Sequence, residues 1–212
     1  VWNEQEQSLM LARDFFGIKP VYYAEIDGHF VFASEIKSIL AFPGYERKVN
    51  QKALEQYLSF QYSPLEETFF KGIYKLMPGH MLLYKNGNYE IKTYFKTKLT
   101  PDKWNRKTNM DQLRSQLAEI LKDSVKHHML SDVEVGAFLS GGVDSGYLAS
   151  ASGADQAFTV GFDEGDRYSE VNKAAKVAEK ASLKHHVKII SKQEFWDALP
   201  DVMYHMDEPL GD

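Results

Sequence analysis

Val133-Glu134-Val135-Gly136-Ala137-Phe138-Leu139-Ser140-Gly141-Gly142-Val143-Asp144-Ser145 is the stretch of this chain that decides the fold. It reads as an apolar strand over Val133 to Leu139, a tight Ser-Gly-Gly turn, and the start of a helix. Glycine at 141 and 142 removes Cβ atoms, so the backbone can curl and come close to an anion. The first turn of the helix has N–H groups without intrahelical partners and carries the positive end of the helix dipole, which together favour a phosphate. Ser140 and Ser145 add hydroxyl donors. Asp144 would repel a phosphate directly, but it suits Mg²⁺ that bridges to the phosphates. The Gly-Lys-Ser/Thr ending of a Walker A loop is absent, and so is a Gly-x-Gly-x-x-Gly fingerprint. The plain alternative is a tight strand–helix turn with Asp144 as a cap. The full Ser-Gly-Gly-Val-Asp-Ser string after an apolar strand weighs against it.

Around this segment the pattern alternates. Leu113, Leu117, Ile120, Leu121 and Val125 mark an amphipathic helix from near Asp111. Further strands are expected at Ala157 to Phe162 and His186 to Ile190, with helices at about 144–151, 168–182 and 192–206. Such alternation implies a parallel sheet with right-handed crossovers. Ligands in such sheets sit beyond the carboxyl ends of the strands, which brings in Val160 and Gly161.

The first half reads differently. Ser8 to Ala12, Pro20 to Ile26 and His29 to Ala33 are strand-forming, with Asp27-Gly28 as a hairpin turn. Ser34 is the expected N-cap of a short helix from Glu35 to Ala41, and Asn50 the cap of another. A second hairpin pairs residues 81–84 with 89–94 across Lys85-Asn86-Gly87-Asn88. The polar, turn-forming stretch 96–109 reads as a linker. The expected organisation is therefore 1–95 antiparallel β, 96–109 linker, and 110–212 the parallel-sheet region, an α+β part followed by an α/β part.

The 212 residues allow one large domain or two small ones. Hydrophobic residues at 43% and charged residues at 26% are globular values and exclude a disordered acidic chain. A net charge of -5 argues against nucleic-acid binding through bulk charge. No apolar run reaches the roughly 18–20 residues that span a bilayer, and the start lacks a signal-peptide pattern. A soluble cytoplasmic protein is the default expectation. With no cysteine, the chain holds no disulfide, thiolate zinc site or cysteine nucleophile.

Other candidates are weaker. His127-His128 and His185-His186 lack a suitably spaced third ligand, so helix-end and strand-start histidines are expected instead of zinc ligands. Tyr22, Tyr23, Phe30 and Phe32 are expected in the core or on the sheet surface. Arg13 and Asp14 could form a salt bridge or line an interface. Asp207-Glu208-Pro209 is a carboxylate pair before a helix-breaking proline, either a solvated helix end or part of a site.

Ser140 to Ser145 resembles the pyrophosphate-binding PP-loop of ATP pyrophosphatase-type enzymes, which release pyrophosphate and form an adenylate. Four further stretches are similar to the glutamine-hydrolysing asparagine synthetases: Leu11-Ala12-Arg13-Asp14-Phe15-Phe16-Gly17-Ile18-Lys19-Pro20, Phe32-Ala33-Ser34-Glu35-Ile36-Lys37, residues 70–80 and Met206-Asp207-Glu208-Pro209. Their order fits, and together they cover nearly all of the chain. The resemblance implies the C-terminal part of an N-terminal-nucleophile glutaminase domain, followed by the first part of an adenine nucleotide α-hydrolase-like synthetase domain. The chain is thus expected to be an internal fragment, inactive alone, with the glutaminase cysteine outside it. ATP and Mg are the implied cofactors. Aspartate and glutamine-derived ammonia are the implied substrates, with no nucleic acid or membrane partner and room for a homodimer in the intact enzyme. Leu139, Ser140, Gly141, Gly142, Val143, Asp144, Ser145, Val160 and Gly161 would bind ATP and pyrophosphate, the adenine being met by backbone at Leu139 and Val160. Asp144 would act catalytically through Mg, and Asp207 and Glu208 would lie at the synthetase site. The alternatives are a β-lactam synthetase-like enzyme or other amidotransferase using the same adenylation, and a non-catalytic relative of the fold.

Overall fold

The computed structural model describes residues 1–99, 109–163 and 170–209. It divides into two units, Val1–Leu99 with Pro200–Asp212, and Thr100–Leu199. Most of the 96–109 linker expectation, and the start of the helix expected at 168, lie outside the described residues.

The first unit holds two antiparallel sheets. One has the order β1-β2-β6-β7, from β1 (Trp2–Asn3), β2 (Ser8–Ala12), β6 (His80–Lys85) and β7 (Asn88–Thr93). The other is β4-β3-β5, from β3 (Tyr22–Ile26), β4 (His29–Ala33) and β5 (Ile73–Lys75). The two expected hairpins are present with two-residue turns, Ile26 opposite His29 and Lys85 opposite Asn88. Asp27-Gly28 and Asn86-Gly87 both take positive φ at both positions, the twist that suits a tight hairpin. Strands β1 and β5, of two and three residues, are too short for alternation to register in the sequence.

Strand β3 packs on both faces, with Glu25 alone of its five residues exposed. Ala24 and Ile26 pack with Ile36, Ile39 and Ile73, where helix α1 (Ile36–Leu40) covers one face. Tyr23 points the other way, into a cluster with Leu76, just after β5, and with Leu11 and Leu82 of the neighbouring sheet. Each fully buried isoleucine contributes roughly 1.5–3 kcal/mol. Tyr23 is core and Phe32 is surface, at 3% and 48% exposure. Helix α2 (Gln51–Phe60) starts at Asn50, whose side chain accepts from the Lys52 and Ala53 N–H groups as expected.

The second unit carries a three-stranded parallel sheet in the order β10-β9-β8, from β8 (Gly136–Phe138), β9 (Gln156–Phe162) and β10 (Lys184–Ile190). Helix α3 (Met110–His128) precedes it, and α4 (Val143–Ser152) and α5 (Val171–Lys180) connect its strands. Helix α6 (Lys192–Met206) begins in this unit and ends in the first. Leu139, Ala149, Ala157, Ala174 and Ala178 form the core, where alanines let α4 and α5 lie close to the sheet. Strand β8 is shorter than the expected Val133–Leu139. Among the described residues it pairs with β9 alone, which begins at Gln156 opposite Gly136, so earlier residues have no described strand beside them. Among the described residues no helix is long and apolar enough to cross a membrane.

Two expectations about local roles are corrected. Ser34 does not cap α1; the N-cap position is Glu35, and no side chain of the flanking residues closes it. Arg13 and Asp14 do not pair with each other. The Arg13 guanidinium donates to the carbonyls of Lys19, Leu76 and Gly17 at 3.1, 2.9 and 2.9 Å. The Asp14 carboxylate accepts from the N–H groups of Phe16, Ile18 and Lys19 at 3.0–3.1 Å. Both side chains therefore satisfy loop backbone that no sheet or helix can reach.

Those N–H groups, Lys19 and Ile18 foremost, hold the Asp14 carboxyl down to about 2 from its ordinary 3.8. Its contribution is therefore complete above pH 3.8 and lost as pH falls through about 2. The Phe16, Ile18 and Lys19 amide resonances should shift together across that window in an NMR titration, and Asp14→Asn should abolish the shared transition.

Candidate functional site

The segment 139–145 is built by a strand that ends early and a helix that begins without a cap. Leu139 is 2% exposed and its N–H donates to Phe158 O at 2.9 Å, so it closes the strand. Gly141 then turns the chain with φ +77°. A Cβ there would lie 2.6 Å from Lys173 Cβ and 2.8 Å from the Ala174 backbone nitrogen, because the first turn of α5 packs onto the loop. Gly142 is different. It has φ −72° and serves as the N-cap of α4, and an added Cβ would meet only the hydroxyls of Ser140 at 3.3 Å and Ser145 at 3.8 Å. The sequence marked both glycines as backbone requirements; the tertiary packing enforces only the first.

No side chain caps α4. The alternative in which Asp144 is a cap is not what the chain does: Asp144 is exposed, and among the described residues it has no hydrogen bond or ion pair. The first intrahelical bond is Gly146 N–H to Gly142 O, which leaves the N–H groups of Val143, Asp144 and Ser145 without helical acceptors. The two hydroxyls meet at 2.9 Å, and Ser145 Oγ also accepts from the Ser140 N–H at 3.3 Å. A cavity of about 610 Å³ reaches this backbone, lined by Gly141, Gly142, Val143 and, on α5, Lys180. The uncapped helix start and the two hydroxyls form an environment that favours an anion; Lys180 lines the cavity on the α5 side, whereas Ser145 lines a separate cavity towards α3.

Val160 and Gly161 lie on β9 beyond the point where β8 stops pairing, Val160 55% exposed and Gly161 buried. The parallel strands bring them to the same sheet edge as Leu139. Sequence reasoning missed Thr159, 6% exposed, whose hydroxyl donates to Leu139 O at 2.6 Å. The available signal was a lone hydroxyl within the apolar run Ala157 to Phe162. The histidines are engaged in hydrogen bonds: His127 and His128 with carbonyls one turn earlier, His185 with Thr159, His186 with Gln156. Among the described residues no group of three His, Asp or Glu could hold a metal ion.

Asp207 and Glu208 belong to the first unit. The Asp207 carboxylate is not solvated. It accepts from the Ile36 N–H at 2.8 Å and the Lys37 N–H at 3.2 Å and pairs with Lys37 Nζ at 3.2 Å. It is the cap that α1 lacks locally, supplied from 171 residues away. Glu208 Oε2 lies 3.9 Å from Lys75 Nζ, while Oε1 is buried without a hydrogen-bond partner among the described residues. Burial pushes the Glu208 carboxyl up despite that lysine.

Residues 1–95 match the family model described as a glutamine amidotransferase domain, and residues 116–212 match that of asparagine synthase. An asparagine synthetase (glutamine-hydrolysing) of Bacillus subtilis is 37% identical across 100% of this chain and 33% of its own length. The two halves of the chain are similar to a glutamine amidotransferase domain and to an asparagine synthase domain. A relative named as a putative glutamine-hydrolysing asparagine synthetase in Mycobacterium tuberculosis is 34% identical over 100% of the chain and 34% of its own length. An amidase of Gibberella zeae is 28% identical over the same whole chain and 34% of its own. The chain thus spans about a third of the length of the curated relatives it matches. A solved NH3-dependent NAD synthetase from Campylobacter jejuni covers 45% of the chain and 42% of its own at 19% identity, but its TM-score of 0.28 carries no argument.

The two glycines should separate in experiment. Gly141→Ala meets left-handed strain and a backbone clash and should cost at least roughly 1–3 kcal/mol in denaturant unfolding. Gly142→Ala should fold within about 1 kcal/mol of the parent, placing its effect on anion binding instead. For the first unit, Asp207→Ala should lower stability by about 2 kcal/mol through the lost cap and one of the two ion pairs of Lys37, whose Nζ keeps Glu35 at 3.1 Å. Hydrogen exchange should show the loss concentrated in the Ile36 and Lys37 amides.

Proposed function

We propose that this chain is part of an ATP-dependent, glutamine-hydrolysing amide ligase that converts aspartate to asparagine. The observation that carries this reading is the uncapped N-terminus of α4 behind Gly141, with free N–H groups, paired serine hydroxyls and an unpartnered Asp144. In the reaction, an oxygen of the aspartate side-chain carboxylate attacks the α-phosphorus of ATP. The bond from that phosphorus to the bridging oxygen breaks, giving β-aspartyl-AMP and pyrophosphate. Ammonia then attacks the acyl carbon, AMP leaves, and a proton is released to give asparagine.

The loop's part is to stabilise negative charge as it builds on the leaving pyrophosphate. Donors fixed in place before reaction do this without reorganisation. The N–H groups of Val143, Asp144 and Ser145 and the hydroxyls of Ser140 and Ser145 are the donors we assign. Val160, Gly161 and Leu139 are assigned to the adenine. The exposed carboxylate of Asp144 would hold Mg²⁺ together with groups of the bound nucleotide and water, for among the described residues no group of three His, Asp or Glu could hold a metal by itself. Mg²⁺ would supply counter-charge on the phosphates when bound.

Residues 1–95 are assigned to an N-terminal-nucleophile glutaminase domain and 110–212 to a PP-loop synthetase domain. Without a cysteine, residues 1–212 cannot themselves supply the cysteine nucleophile of glutamine hydrolysis. Asp207 and Glu208 stay candidates for the synthetase site, although Asp207 caps α1. A second reading, adenylation of another acceptor, is favoured by the match to a relative named an amidase.

ATP–pyrophosphate exchange in the full-length chain tests this. Exchange dependent on aspartate supports the ligase; exchange only with a different carboxylate supports the second reading. Asp144→Asn should lower exchange by about 10²–10³ while shifting stability by no more than about 1 kcal/mol. Near-parental exchange would remove Asp144 from the site.

A further inference from the structure

Beyond Phe138, β8 and β9 part company in an unusual way. In a parallel pair the Leu139 N–H bonds Phe158 O, and the next bond in the ladder would run from the Val160 N–H to Leu139 O. That bond is not made. The Leu139 carbonyl accepts instead from the Thr159 hydroxyl at 2.6 Å, which in turn lies 2.7 Å from His185 Nε2 on β10. A carbonyl can only accept, and a threonine hydroxyl has one proton to give. The proton shared with Leu139 therefore comes from Thr159, and His185 must donate through Nε2–H. This fixes the His185 proton on Nε2 and creates a one-way relay across three strands, ending on the residue before Ser140.

We propose that Thr159, held by His185, is a positioning residue that keeps the sheet open beside the loop. By taking the Leu139 carbonyl, its hydroxyl does two things. It ends the ladder one residue before Ser140, which frees the chain to turn at Gly141. It also leaves the Val160 backbone unclaimed by β8, on a residue 55% exposed, where a planar base with donor and acceptor atoms on one edge can bond it. Thr159 itself is buried and touches no substrate; it acts through Leu139 and Val160. The inference rests on the adenylation reading above and adds to it the device that shapes the base-recognising edge.

Two variants and one spectroscopic measurement test it in the full-length chain. Thr159→Val keeps the shape and removes the hydroxyl, so Leu139 O can recapture the Val160 N–H and close the edge. It should raise the KM for ATP in pyrophosphate exchange by about tenfold, the scale of one lost hydrogen bond, with little change in kcat. Thr159→Ser retains the relay and should stay within about threefold of the parent by the same measure. In the unsubstituted protein, ¹⁵N shifts of His185 should show Nε2 protonated and, in the neutral form, Nδ1 bare. Protonation on Nδ1 with a bare Nε2 would overturn the relay even if Thr159→Val failed to fold. Parental KM in Thr159→Val would overturn it as well, in a protein that does exchange pyrophosphate. Absence of ATP binding by the unsubstituted protein would overturn the adenylation reading, whereas the His185 shifts would still decide the relay.

Discussion

The turn at Gly141 is the constraint on which the second unit depends. A strand must become a helix within a few residues while α5 presses against the joint. Only a residue without Cβ takes φ +77° there at no steric cost and leaves room for Lys173 and Ala174. Once that turn is made, the rest follows from unpaired backbone. The N–H groups at the start of α4 face outward with no side chain to cap them, and β9 extends beyond its neighbour with an open edge. A polar backbone left unsatisfied by its own fold is costly unless water or a ligand meets it. The site is, in this sense, the part of the sheet that secondary structure does not finish.

The first unit solves the same accounting problem in the opposite way, by closing its backbone with side chains, some local and some distant. Arg13 ties three carbonyls and Asp14 three N–H groups, so that a loop without regular structure is held by charge-assisted bonds. Asp207 does likewise for α1, a helix of five residues too short to be stable by itself. The contrast is plain at two helix starts: α1 is closed by a carboxylate from far along the chain, and α4 is closed by no side chain.

Much of this was legible in residues alone. The Asp27-Gly28 and Asn86-Gly87 turns, the Asn50 cap and the switch from alternating to βαβ patterning are local signals, and the elements they announce are present. The loop Ser140 to Ser145 was also legible, because strand, glycine pair and helix lie within thirteen consecutive residues from Val133. Less legible was the length of β8, which depends on where β9 begins. Thr159 looked like one more strand residue, since its partners Leu139 and His185 are 20 and 26 positions away.

The sequence by itself determined most of the strands and helices and where the chain turns tightly, because those depend on neighbouring residues and their φ/ψ preferences. Only the tertiary structure decided which glycine is indispensable, which carboxylate caps and which stays free, and where the sheet opens. Asp144 and Asp207 are the same side chain near helix ends. The first is left exposed at the start of α4, and the second is buried against the amides of a helix 171 residues earlier in the chain. That difference lies in which backbone groups folding brings within hydrogen-bonding distance, and contacts so distant in sequence leave no local pattern to read.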